Sequence, residues 1–156
     1  MRDAFKVLVF TPAGLPDPGL AIAATRAGHA GVLNLELGGD AGGLDALARL
    51  TDGGWGVALA DIGAATDLVG RWAGRGLAFV VVPAVPALGA AEAVNAIRVV
   101  GVQVLFEALE WDKRLAGPLA ADGIILKGHD AGGRVGEATG FILLQQAMQA
   151  APLGPV

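Results

Sequence analysis

Short apolar runs alternate with longer alanine-rich segments from one end of the chain to the other. The runs cover residues 6–10, 31–35, 55–59, 77–82, 102–106 and 123–127, each rich in β-branched residues and nearly free of charge. Runs of this length and evenness predict strands buried on both faces. Between them apolar residues recur at helical spacing. Leu20, Ala23, Ala24 and Ala27 form one stripe, and Leu44, Leu47, Ala48 and Leu50 form another. Segments 64–73, 90–99, 112–121 and 141–150 continue the series. Strict alternation of strand and helix predicts an α/β protein whose parallel strands are joined by right-handed crossovers. The chain holds 25 glycines, and most fall where strands meet helices, as helix caps and tight turns require.

This rhythm yields five or six β/α units within 156 residues, enough for one domain and too few for two independent cores. A complete (β/α)₈ barrel takes about 250 residues. Two architectures therefore remain on pattern alone: an open doubly wound sheet, or the first part of a barrel.

Composition narrows the chemistry. Hydrophobic residues make up 54% and charged residues 17%, with a net charge of −4 and no basic cluster. That balance excludes intrinsic disorder and argues against nucleic-acid binding. Cys, Ser and Tyr are all absent, which removes disulfides, thiolate and serine nucleophiles, and tyrosine acid–base chemistry. With only His29 and His129, far apart in sequence, no metal site is expected. The apolar, charge-free stretch 77–91 carries Pro83, Pro86 and Gly89 and is shorter than the roughly 20 apolar residues a membrane span needs. No signal-peptide pattern opens the chain, so a cytoplasmic location is the expectation.

The densest chemistry lies in Gly128-His-Asp-Ala-Gly-Gly-Arg134, after the last strand. Loops at the carboxyl ends of parallel strands are where such folds build active sites. The spacing of Gly128 and Gly133 approaches a phosphate loop, but Arg134 and Val135 replace its Lys and Ser/Thr. The alternative is a plain turn, with Glu137 starting the next helix at its dipole-favoured end. Lys127 is either a Schiff-base amine or a side chain snorkelling from the sheet end. Glu107 and Glu110 are candidate acids or solvated rim carboxylates. In the first loop, Pro12, Ala13 and Gly14 belong to a stiff proline- and glycine-rich segment whose backbone can face a flat ligand. Trp55, Trp72 and Trp111 read as packing residues.

Phe10-Thr-Pro-Ala-Gly14, the turn Ala24-Thr-Arg-Ala-Gly28, Trp55-Gly-Val-Ala-Leu59 and the 128–134 loop together resemble the nitronate monooxygenase family, which includes FMN-dependent enoyl-acyl carrier protein reductases. The 128–137 segment is most similar to members associated with polyketide and fatty-acid megasynthases. The resemblance covers about the first five units of the family's barrel. It implies a single domain over 1–156, the N-terminal portion of an FMN-binding TIM barrel that ends before its last strands. It also implies FMN against Pro12, Ala13, Gly14, Lys127, Gly128, Ala131, Gly132 and Gly133, with NAD(P)H as electron donor. His129 or Asp130 would then handle protons, while Arg134 would clamp an acyl thioester or nitronate. The family's catalytic His falls at Arg134 and its flavin-contacting Asn at Ala58. An arginine is no general base at neutral pH.

The expected function is an FMN-dependent oxidoreductase acting on an unsaturated acyl thioester, with an acyl carrier protein as partner. Two alternatives stand beside it: a non-catalytic docking module within a synthase, and a Schiff-base lyase using Lys127. A homo-oligomer, or the remainder of a larger polypeptide, would complete the assembly.

Overall fold

The computed structural model describes residues 7–150, apart from 16, 40, 41, 88 and 117–120. All six expected strands form: β1 (Leu8–Phe10), β2 (Ala30–Asn34), β3 (Trp55–Ala58), β4 (Leu77–Pro83), β5 (Gln103–Ala108) and β6 (Gly123–Leu126). Helices α1 (Gly19–Arg26), α2 (Gly42–Leu50), α3 (Ile62–Trp72), α5 (Ala91–Val99) and α6 (Gly140–Ala150) follow the strands, with a single turn, α4 (Ala84–Ala87), after β4.

The strands are all parallel and lie in the order β1-β2-β3-β4-β5-β6. Sequential order decides between the two architectures. A right-handed crossover to the next neighbour always returns on the same side, so every helix covers one face and the sheet curls away from it. The result is a half-barrel, a partial (β/α)₈ arrangement, in place of a doubly wound sheet.

The two faces carry different cores. On the helical side Leu33, Val57, Val80 and Val104 run in register from strand to strand, and they pack against helix residues such as Leu47, Val69 and Ile97. On the concave side Val32, Ala58, Phe79 and Val81 form a separate cluster with Phe10, Leu105 and Ile125, containing no helix residue. The concave rows end at the carboxyl edge in polar side chains: Asn34 beside Ala58, and Glu107 beside Pro83 and Ile125. That edge is the mouth.

Trp55 and Trp72 meet edge to face at 6.2 Å, and the Arg75 guanidinium covers Trp72. Both tryptophans are packing residues in the helical layer, as expected. The helix expected over 112–121 is replaced at its start by a 3₁₀ turn, Lys113–Ala116, and 117–120 lie outside the described residues. The Asp112 carboxylate accepts the Arg114 backbone N–H at 2.8 Å and also binds its guanidinium. The Asp112 side chain thus caps the start of this short turn.

Leu33→Ala empties a fully buried site between β2 and its covering helices, and should cost about 2–5 kcal/mol in urea unfolding. Val99→Ala, at a position 85% exposed, should stay within about 0.5 kcal/mol of wild type.

Candidate active site

The opening loop leaves β1 through a turn. Thr11 donates its N–H to Val32, and its buried hydroxyl accepts the N–H of Asn34 at 2.8 Å. Leu15 N–H then returns to Pro12 C=O, with Gly14 in the turn's third position at φ +78°. That positive φ is what a type II turn needs there, and glycine supplies it without strain. The Asn34 side-chain oxygen in turn accepts the N–H of Glu36 at 3.0 Å. This chain of bonds places Glu36 at the mouth, 5% exposed.

Lys127 follows β6 and points between two carboxylates. Its Nζ lies 3.3 Å from Glu36 Oε2 and 3.1 Å from Glu107 Oε2. The Lys127 side chain is only 11% exposed, and the two glutamate side chains less. The 128–134 loop closes on the same group. Arg134 N–H donates to Glu36 Oε1 at 3.0 Å, and its guanidinium Nε stands 3.8 Å from Glu36 Oε2. Gly133 makes this approach possible: it sits at φ +78°, and a Cβ there would strike the Glu36 carboxylate. Gly132, by contrast, faces open space.

The mouth encloses a cavity of about 710 Å³. Its walls are the opening loop from Phe10 to Ala13, then Asn34 and Leu37, Ile125 to Lys127 with Glu107, and Ala131 to Gly133. Pro12, Ala13, Lys127, Ala131, Gly132 and Gly133 thus share one space. Gly14 and Gly128 do not line it: Gly14 sits in the opening turn, and Gly128 packs against the backbone that leads into α6. A second cavity, about 770 Å³, lies between β5 and α6 and includes Glu107, Trp111, Arg134 and Leu143.

The other site residues fall elsewhere. The His129 side chain is exposed and lines neither cavity, while its backbone N–H bonds Ala138. Asp130 accepts the Gly140 N–H at 3.1 Å, and that bond holds its carboxyl below the usual range. The start of α6 is therefore held by Asp130 together with Thr139, whose hydroxyl accepts the Ile142 N–H. Glu137, expected at the helix start, is exposed in the preceding loop. A hydroxyl next to the helix satisfies its free N–H groups directly, which an acid three residues earlier cannot do.

Two sequence expectations need correction. Glu107 is not a solvated rim carboxylate: it is 4% exposed. Lys127 does not snorkel into water, because two buried carboxylates draw it inward. As a Schiff-base nucleophile its amine would have to abandon two ion pairs. Burial pushes the Glu107 carboxyl above its ordinary value, and the Glu36 charge adds to this, while Lys127 and Arg134 oppose it. Glu36 and Asn34 were not foreseen as site residues. The available signal was a lone polar residue closing an apolar strand and a lone acid just beyond it.

No group of His, Cys, Asp and Glu suited to a metal ion occurs among the described residues, and no described helix is long and apolar enough to cross a membrane. Removing the cation should expose the cost of this arrangement. Lys127→Met leaves the buried Glu107 carboxylate without its cation and Glu36 with Arg134 alone, and should lose roughly 3–5 kcal/mol near pH 7 in urea unfolding. Burial already raises the Glu107 carboxyl and Lys127 opposes it, so without Lys127 the missing stability returns as pH falls below the raised Glu107 value, and the deficit narrows in acid. Comparison with known proteins gives no match to any family model, curated protein or solved structure.

Proposed function

We propose that the 710 Å³ cavity is the ring-binding site of an FMN-dependent oxidoreductase of the nitronate monooxygenase or enoyl reductase type. One observation carries this reading. Two of the segments that carry the family resemblance, represented by Pro12–Ala13 and Ala131–Gly133, line a single cavity at the carboxyl ends of the strands. The volume lies in the range typical of small-molecule sites.

The fit to FMN divides between its ring and its phosphate. Phe10, Ile125 and Leu126 offer a flat heteroaromatic ring apolar walls, and Gly132 leaves it room. Asn34 offers an amide beside Ala58, its register partner, where the family carries asparagine. The phosphate fares worse. Lys127 is already held by two carboxylates, and Arg134 faces Glu36, so this cavity's described residues give the phosphate no free cation. When bound, the flavin would supply hydride transfer between NADH or NADPH and an unsaturated acyl group. An acyl thioester, delivered by an acyl carrier protein, is the substrate class that the resemblance favours.

The poor provision for phosphate also favours a second reading, a docking module that has lost its cofactor. Flavin titration followed by ring fluorescence separates the two. The oxidoreductase reading expects FMN and lumiflavin, the ring without ribityl phosphate, to bind within about tenfold of each other, a span of 1.4 kcal/mol. Gly132→Leu, which fills open space, should weaken both by at least about tenfold. A wild-type chain that leaves both spectra unchanged would favour the docking module.

A further inference from the structure

Glu107 occupies a position that the flavin reading does not use. It closes β5 on the concave face, and among the described residues it alone lines both cavities. Its Oε2 is held by Lys127, but its buried Oε1 has no hydrogen-bond partner. A carboxylate oxygen left bare in a protein interior is costly, so that atom calls for a proton or a ligand. We propose that Glu107 is the proton-transferring residue of this site, exchanging a proton with a carbon acid bound in the 710 Å³ cavity. The inference rests on that cavity being the reactive one.

Other groups are poorly placed for this role. The His129 side chain lines neither cavity, and Asp130 is committed to the Gly140 N–H. Lys127 is pinned between two acids. The Thr11 hydroxyl is buried against Asn34, and the chain has no Ser, Tyr or Cys. The charges around Glu107 are Lys127 on the β6 side, Glu36 beyond β2, and Arg134 from the closing loop. Glu110 and Glu137 face it across the second cavity. Burial raises the Glu107 carboxyl from its ordinary value of 4.5, which strengthens it as a base once ionised.

The step balances without a redox partner. The substrate's C–H bond, α to a thioester carbonyl or a nitro group, breaks, and its electron pair moves onto the carbonyl or nitro oxygen. The proton forms a bond with Glu107 Oε1. Lys127, 3.1 Å from Oε2, is the positioning residue: it fixes the carboxylate and balances its charge. The second cavity provides a route by which the carboxyl proton exchanges with solvent, and the reverse step returns a solvent proton to carbon.

Hydrogen–deuterium exchange at the α-carbon of nitroethane tests this without flavin or pyridine nucleotide. In D₂O the chain should accelerate exchange over buffer, with a rate that rises as pH passes through the raised Glu107 value. Glu107→Gln should cut the protein-dependent rate by about 100-fold or more. Should that variant fail to fold by circular dichroism, Glu107→Asp provides the comparison. It retracts the carboxylate by one methylene and should lose about tenfold or more. No acceleration by the wild-type chain, an unchanged rate in the folded Gln or Asp variant, or a loss that follows His129→Ala instead would each overturn the proposal. Flavin titration of the same proteins decides the ring-binding reading separately. Exchange without flavin binding would leave Glu107 as the base and remove FMN.

Discussion

The mouth of this half-barrel depends on a buried cation shared by two carboxylates. Lys127 draws together Glu36 from beyond β2 and Glu107 at the end of β5, and Glu36 then receives the backbone of Arg134. Distant parts of the chain are thereby fixed around one point. Charges this deeply buried are expensive to desolvate. Their mutual pairing offsets that cost only if all remain in place, so the cluster specifies one arrangement of the loops.

Around that point the geometry follows from the topology. Sequential parallel strands put every helix on one face, which leaves the concave face to pack on itself and its carboxyl edge to hold polar groups. The opening turn is locked through Thr11 and Asn34, and the closing loop through Gly133 and Arg134. Both ends of the cavity wall thus hang on the same short chain of hydrogen bonds, Thr11 to Asn34 to Glu36. A ligand entering between them meets apolar walls and the Glu107–Lys127 ion pair.

The strands were legible because strands buried on both faces read as unbroken apolar runs, and all six expected runs are strands. Strand order was not legible: the same runs suit a doubly wound sheet, and only neighbour-to-neighbour pairing decides. At the site, Pro12, Ala13 and the 131–133 segment stood out through their unusual proline and glycine content. Asn34 and Glu36 did not, since a single polar residue at a strand end carries no periodic signal. Glu107 was noticed, but its burial depends on Lys127, twenty residues away in sequence and adjacent only through β5–β6 pairing. The 3₁₀ turn after Asp112 was not legible either, since the apolar spacing over 112–121 suits a longer helix.

The opening and closing loops line one cavity. The most direct measurement follows the backbone amide signals of Ala13 and Gly132 by nuclear magnetic resonance while lumiflavin is added. If the two loops form one binding surface, both signals shift together along one saturation curve, with amides on the helical face unmoved. Movement of only one loop, or shifts confined to the helical face, would contradict it.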